Sequence, residues 1–385
     1  MTSAPGVAAE QFAVDGSIVS VAPLGDGHIN ETHEIRTDSG RRYVLQRINR
    51  AVFRDPEAVM RNVDRVVRHL VGKVAADRGD VTREVLTLIP SRDGAVAFRD
   101  REGETWRCYV FVEGVTAHSA GIDAARAYAV GAAFGRFLRR VSDLPPDEVE
   151  VTIPGFHDPA RHLAALRGAV RSDRCGRRGR ATPEIALIEA RGEDTERWSE
   201  RLGPDGGFPT RVVHNDTKVS NVLVDDRTGR GACVIDLDTV MPGSAVIDMA
   251  DCARSALTRA LRPGGDPAIF EAVLRGFLSE AGEGLVEPEL EALVDATRVI
   301  ALELGTRFLT DFLTGDRWFP AAEVEENLDR CRGQLRIAQW VEQNEAALRT
   351  IAHRAARGRK ERRAPSTGGR YGSESTEGKG PHDPR

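Results

Sequence analysis

Across residues 212–241 the chain reads Val-Val-His-Asn-Asp-Thr-Lys-Val-Ser-Asn-Val-Leu-Val, a polar turn, then Cys-Val-Ile-Asp-Leu-Asp-Thr-Val-Met. Asp216 can accept a proton from a hydroxyl. Lys218, two residues on, can place a compact charge on a phosphate. Asn221 and Asp236 offer hard oxygen donors of the kind that suit Mg²⁺ beside phosphate. Asp238 adds a second carboxylate that can support the first or turn toward an acceptor. A proton acceptor, a cation and oxygen ligands for a metal are the parts that phosphoryl transfer needs. The lysine is informative in itself. The chain holds only four, Lys73, Lys218, Lys360 and Lys379, and otherwise uses arginine for positive charge. Lysine is a strongly hydrated point charge and arginine a planar fork, so its choice here fits a role in which the size of the cation matters.

These side chains must be brought to one place. Val222, Leu223 and Val224 form one short apolar run, and 232–235 form another. Asp225, Asp226, Thr228 and Gly229 between them have turn chemistry, so a β-hairpin is expected. Such a hairpin brings Asn221, at its start, and Asp236, at its end, to face one cleft.

The pattern His214-x-Asp216-x-Lys218-x-x-Asn221, with Asp236 after a hairpin, resembles the protein-kinase-like superfamily, in the branch of aminoglycoside phosphotransferases and sugar kinases. The resemblance implies an α+β bilobal fold. An N-terminal antiparallel sheet with a helix would hold ATP against a larger, mostly helical C-terminal lobe, and Mg²⁺ would sit on Asn221 and Asp236. The expected divisions are a flexible leader at 1–15, a nucleotide-binding lobe at 16–113, a catalytic and acceptor-binding lobe at 114–350, and a disordered basic and polar tail at 351–385.

In the first lobe, alternating strands are expected at 17–22 and 32–36, around the turn Pro-Leu-Gly25-Asp-Gly27-His28-Ile-Asn30. Gly25 and Gly27 permit close backbone approach to a nucleotide's phosphates. A third strand is expected at 43–49. Kinases carry a lysine there, and this chain has Gln46 and Arg47 instead. Alternation lets only one of the two face the cleft. Motif register favours Gln46. Charge favours Arg47, which would touch phosphate if the strand carried a bulge. A helix at 54–71 follows, from which Glu57 or Asn62 would reach the site. Further strands are expected at 85–89 and 105–112. Glu113-Gly114 then resembles the hinge whose backbone holds an adenine.

Gly-His28-Ile-Asn30 with Thr32, then Tyr-Val-Leu-Gln-Arg-Ile-Asn, Val-Phe-x-Asp-Pro and Met60-x-Asn62, resembles the N-acetylhexosamine 1-kinase group. So does the downstream Ile-Asp-Leu-Asp-Thr-Val-Met-Pro-Gly. With these, the likeness extends over most of 18–340. It implies an acceptor wall that includes His28, Asn30, Phe156, Asp238, Arg307 and Asp311. The acceptor would be a small sugar or amino sugar, phosphorylated at the anomeric C1 hydroxyl.

In the second lobe, helices are expected at 123–141, 269–281, 287–312 and 322–348. The loop 153–158 carries Phe156, suited to stack on a sugar, and His157, suited either to a hydroxyl or to a structural role. Asp248 is expected to brace the catalytic loop through backbone hydrogen bonds, and Asp251 to pair with Arg254. From about Arg354 the chain turns basic, then rich in Gly, Ser and Pro, the signature of a disordered tail.

Composition sets outer limits. The 385 residues suffice for two lobes with a sizeable core. A net charge of −5 gives no general nucleic-acid signal. The five cysteines are scattered, with neither a disulfide framework nor zinc spacing, and fit a reducing cytoplasm. The start of the sequence lacks the basic flank and apolar run of a signal peptide, and no stretch suits a membrane span. Two rival readings stand beside the sugar kinase. One is phosphorylation of an aminoglycoside or other small alcohol by the same apparatus, which an acidic pocket would favour. The other is a nucleotide-binding regulatory module without catalysis, supported by the missing strand lysine.

Overall fold

The computed structural model describes residues 4–25, 29–203, 206–260, 265–281 and 285–363. The N-terminal lobe is a single antiparallel sheet with three helices. α1 (Ala4–Ala9) leads into β1 (Ile18–Pro23), β2 (Glu31–Thr37) and β3 (Arg42–Arg47). α2 (Pro56–Ala76) and α3 (Val81–Glu84) come next, then β4 (Leu88–Ile89), β5 (Phe98–Arg99) and β6 (Thr105–Val110). The sheet order is β1-β2-β3-β6-β4, with β5 also paired to β6.

The two faces of this sheet have different partners. Ile35, Leu45, Trp106 and Cys108 alternate onto the face covered by Ala8, Ala9 and Phe12. The expected leader at 1–15 is therefore packed from α1 onward, because three apolar side chains in twelve residues are enough to seal that face. On the other face Val44 and Tyr109 meet Val59, Met60, Val63, Val66 and Val67 of α2. Asp55 caps α2 by accepting from the Ala58 N–H at 2.9 Å. The helix outlasts the expected 54–71 by about a turn and a half. The strand expected at 85–89 shrinks to two residues, because 81–84 form α3.

β7 (Val115–Ala117) follows the inter-lobe crossing at Glu113-Gly114 and pairs with the second lobe. That lobe continues with α4 (Ala124–Val141), α5 (Pro159–Ser172), α6 (Thr182–Glu189) and α7 (Gly192–Leu202). Next come β8 (Thr210–Val213), β9 (Val222–Asp225), β10 (Gly231–Val234) and β11 (Met241–Ser244). α8 (Ala245–Arg259), α9 (Pro267–Glu280), α10 (Glu287–Thr314), α11 (Glu326–Gln343) and α12 (Glu345–Arg363) complete it. The helix expected over 322–348 is thus two helices, broken at Asn344. The tail expected from 351 is helical to Arg363. Ile351, Ala352 and Ala355 of α12 are buried in the main core, which sequesters them among the surrounding arginines. Among the described residues no helix is long and apolar enough to cross a membrane.

The floor of the catalytic region rests on a close crossing of α4 and α9. A Cβ added at Gly131 would lie 2.2 Å from the Val273 carbonyl oxygen, and one at Gly135 would lie 2.2 Å from that of Phe277. Backbone cannot yield there without separating the helices. We expect Gly135→Ala to destabilise the protein by about 1–3 kcal/mol despite alanine's better helix propensity. A urea-unfolding midpoint equal to wild type would contradict that close packing.

Candidate active site

The site is built on two small sheets. β10 pairs with β9 as the expected hairpin, and β7 adds a third strand. β11 pairs with β8, setting Met241 against Val213. The loop from His214 to Asn221 leaves β8 and enters β9. The loop from Ile235 to Val240 leaves β10 and enters β11. Both loops therefore project at the same end, and the Ile235 N–H donates to the Asn221 carbonyl at 2.9 Å.

The first loop is fixed by backbone contacts. The N–H groups of His214 and Asn215 donate to the two oxygens of Asp248, each at 2.8 Å. Thr217 donates to the Asp248 carbonyl at 2.6 Å, and Thr239 to the His214 carbonyl at 2.8 Å. Burial pushes the Asp248 carboxyl up to about 6, opposed by those two N–H groups. His214 is fully buried between the edges of Phe134 and Phe137. Its Nε2 donates to the Ile235 carbonyl at 3.1 Å and its Nδ1 accepts from the Asp216 N–H at 3.3 Å, which requires the neutral Nε2–H tautomer. Asn215 and Asp236 both take left-handed backbone angles, with φ of 63° and 62°. Asn and Asp tolerate this region better than other residues with side chains, and it turns the following residues out of the strand path.

The polar cluster lies on this frame. The Lys218 Nζ sits 2.5 Å from Asp216 Oδ2 and 3.3 Å from Asp236 Oδ2. Asn221 Nδ2 donates to the Asp216 carbonyl at 2.9 Å and to its Oδ2 at 3.2 Å. The cleft walls disfavour the charge on Lys218, but Asp216 and Asp236 outweigh them and its pKa is raised. Shielding also opposes the Asp216 anion, yet the ammonium beside it holds that carboxyl below its ordinary range. Asp236 goes the other way. Shielding, Asp238 and Asp216 together exceed the help from Lys218, so its carboxyl is raised. Asp236 is thus short of positive charge. The Asn221 amide nitrogen is committed to Asp216, which leaves its oxygen as the end available to a cation. An amide and a carboxylate oxygen fit Mg²⁺, which takes few protein ligands beside phosphate and keeps several waters.

From the N-terminal lobe the structure brings in a residue that the sequence reading passed over. Thr32, Gln46 and Arg107 are direct neighbours across β2, β3 and β6. Gln46 donates to Thr32 Oγ1 at 3.1 Å and accepts from Arg107 Nε at 3.0 Å. Arg107 in turn ion-pairs with Asp238, both side chains being 1% exposed. β3 has no bulge, so Gln46 faces the cleft side and Arg47 the opposite face. Arg47 pairs there with Glu31 at 2.5 Å and lies over Trp106. The phosphate contact expected of Arg47 is therefore excluded by strand register.

The structure also relocates several other expected site residues. Both oxygens of Asp238 are occupied, by Arg107 and by Asn30 at 2.7 Å, so it faces neither the acceptor nor a metal. Asn30 is correspondingly an inter-lobe tie, and its Oδ1 also accepts the Asn49 N–H at 3.0 Å. Asp311 is buried and accepts from the N–H groups of Arg317, Trp318 and Phe319, holding that turn rather than lining a pocket. The Glu113 carbonyl accepts from Arg83 at 2.8 Å, and its carboxylate is paired with Arg42. Asn62 is buried and bonds the Glu150 backbone, while Glu57 is exposed beside Arg99. Gly25 has φ of 69° with open space where a side chain would stand. Gly27 and His28 lie outside the described residues.

Arg307 and Phe156 do meet. The guanidinium lies 4.9 Å from the Phe156 ring centre and 5.7 Å from that of Phe319. Trp318, next to Phe319 in the chain, is half exposed.

A family model described as a phosphotransferase enzyme family matches residues 20–285. Among solved structures, the chain is similar to an aminoglycoside phosphotransferase from Alicyclobacillus acidocaldarius subsp. acidocaldarius. The two share 18% identity with a TM-score of 0.58, over 92% of this chain and 98% of that one. An amicoumacin kinase in complex with AMP-PNP, Ca²⁺ and Ami has a TM-score of 0.59 at 15% identity, over 85% of this chain and 91% of that one. A spectinomycin phosphotransferase in complex with ADP and spectinomycin has a TM-score of 0.57 at 14% identity, over 86% and 95%. These likenesses show the bilobal kinase-like fold.

Proposed function

The chain belongs to the phosphotransferase enzyme family, an enzyme that transfers phosphate to an alcohol, and we propose that its acceptor is a sugar hydroxyl. The best-supported acceptor is the anomeric C1 hydroxyl of an N-acetylhexosamine, GlcNAc or GalNAc, with ATP as donor. The observation that carries the reaction is the Lys218 ammonium between Asp216 and Asp236. Asp216 is the base that orients the acceptor hydroxyl and takes its proton. Lys218 stands where it can neutralise a transferring phosphoryl group. Asn221 and Asp236 would hold Mg²⁺, which when bound supplies charge to the phosphate oxygens. Arg107, the neighbour of Gln46 across β3 and β6, braces Asp238 on the loop that carries Asp236.

The acceptor wall supports a neutral, hydroxyl-bearing ligand. Its carboxylates, Glu303 and Asp311, are buried and bound within the protein, and the polar group beside Phe156 and Phe319 is the cation Arg307. An acidic pocket, as a polycation would need, is not what these residues form. An aromatic face beside a hydrogen-bond donor suits a sugar ring. The resemblance of the motifs around Asn30, Gln46 and Arg307 to the N-acetylhexosamine 1-kinase group supports the choice of sugar.

ADP release by the purified protein with Mg²⁺-ATP tests this on a panel of GlcNAc, GalNAc, plain hexoses and aminoglycosides. The expected result is turnover on an N-acetylhexosamine that stops when C1 carries an O-methyl group. Turnover confined to aminoglycosides would overturn the acceptor and keep the catalytic assignment.

A further inference from the structure

The loop before α5 places His157 beneath the catalytic loop, where its side chain is 11% exposed. Nδ1 lies 3.0 Å from Glu303 Oε1, and Nε2 lies 2.8 Å from the Asn215 carbonyl oxygen. A carbonyl oxygen can only accept, and so can an ionised carboxylate. Two acceptors on one imidazole require two N–H groups, which makes the ring an imidazolium. We propose that His157 is a positioning residue, an imidazolium pinned on Glu303 that clamps the Asn215 carbonyl and so sets the turn from which Asp216 is presented. This rests on the assignment of Asp216 as the base.

The clamp completes a two-sided hold. Asp248 takes the Asn215 N–H, and His157 takes the carbonyl of the peptide that joins Asn215 to Asp216. Asn215 is one of the left-handed residues, a conformation that persists only when its surroundings over-determine it. The clamp also ties the base to the acceptor wall. Glu303 lies one helical turn before Arg307 on α10, with Oε1 3.9 Å from the guanidinium. Oε2 of Glu303 is buried with no partner among the described residues, so His157 is the main stabiliser of its charge.

The titratable groups around the ring are Glu303 and Arg307 on α10, His162 on α5, and Asp251 and Asp248 on α8. Burial opposes charge on His157. Glu303, the Asn215 carbonyl and Asp251 overcome it, and the ring titrates above its ordinary value. For Glu303 burial again works against the charged form, but His157 outweighs it and the carboxyl is lowered. Burial pushes His162 down, with Arg307 and His157 adding to the shift, so the second ring stays neutral. The sign follows. A raised histidine keeps its proton past the pH at which a free imidazole gives it up, and loses it as pH rises through the raised pKa. The clamp therefore loosens on the alkaline side, and kcat falls there. Lys218 titrates at still higher pH and does not produce this limb.

The test uses the full-length protein with ¹⁵N-labelled histidine, His157 being assigned by its loss in His157→Asn. The expected spectrum near pH 7 shows protons on both ring nitrogens, with the neutral ring appearing only at alkaline pH. Glu303→Gln should move that titration down by about one unit or more and cut kcat about tenfold near pH 8. Its KM for ATP should stay near wild type, while its melting temperature should fall, because a buried ion pair loses its anion. A neutral His157 ring near pH 7 would overturn the proposal. So would an alkaline limb of kcat that does not move with the ring's titration in Glu303→Gln. The spectrum needs no substrate and no variant beyond the assignment, so it decides the charge state even if the acceptor is another alcohol or Glu303→Gln does not fold.

Discussion

Asp216→Asn should lower kcat by about 10²–10⁴-fold while leaving the KM for ATP within a few-fold of wild type. Asparagine keeps the shape of the side chain and its hydrogen-bond reach, but it cannot take a proton at neutral pH. The wild-type carboxylate is well placed for that role. It lies 2.5 Å from the Lys218 ammonium, which keeps it ionised, and its backbone carbonyl receives Asn221. The loop frame is independent of the carboxylate, since Asp248, Thr217 and Thr239 hold the surrounding peptides. Substrate binding and melting temperature should therefore survive, and a steady-state assay at saturating ATP isolates the chemical step. Wild-type kcat in this variant would show that another group serves as base.

Arg107→Met should have the second-largest effect, and on a different quantity. The pair with Asp238 is 1% exposed on both sides, so deleting the cation leaves a buried carboxylate with only Asn30. Breaking a buried pair in this way costs about 3–5 kcal/mol. The pair joins β6 of the first lobe to the loop that presents Asp236. The loss should therefore also weaken Mg²⁺-ATP binding, seen as a raised KM for ATP. Arg107→Met/Asp238→Asn should recover much of the lost stability, because no uncompensated charge remains. Equal unfolding midpoints for wild type and Arg107→Met would contradict the buried pair. So would a double variant no more stable than the single one.

The contrast between these two residues says what a sequence can reveal. Asp216, Lys218, Asn221 and Asp236 lie on one local hairpin, so type and spacing are enough to group them. The Asp248 brace was legible for a similar reason, since a carboxylate at the start of the helix after β11 faces the loop before β9. Arg107 and Asp238 lie 131 residues apart, and the partnership arises only when β6 is laid beside β3. A signal was present all the same. Arg107 is the one charged residue of its strand, at an inward position flanked by Trp106 and Cys108. Its burial follows from alternation once the register with Gln46 is known. Arg47 misled because its charge matched the expected chemistry, while the absence of a bulge is a property of the sheet rather than of the residue. Asp311 misled because a carboxylate near aromatic residues has the composition of a sugar site. Here it serves backbone N–H groups six to eight residues on, where the chain turns after α10. The two chain ends were read from composition. Ala8, Ala9, Phe12 and the apolar positions of α12 were too few to stand out among polar neighbours, yet each completes a face that would otherwise be wet.

The most direct test of phosphoryl transfer from this hairpin to a sugar is a ³¹P NMR time course with Mg²⁺-ATP and GlcNAc or GalNAc. Wild-type enzyme and Asp216→Asn would be followed side by side. The expected result is ADP formed together with a sugar phosphate whose phosphorus couples to the anomeric proton, and almost no product in the variant over the same time. A product formed equally fast by Asp216→Asn, or ATP consumed with only inorganic phosphate appearing, would contradict it.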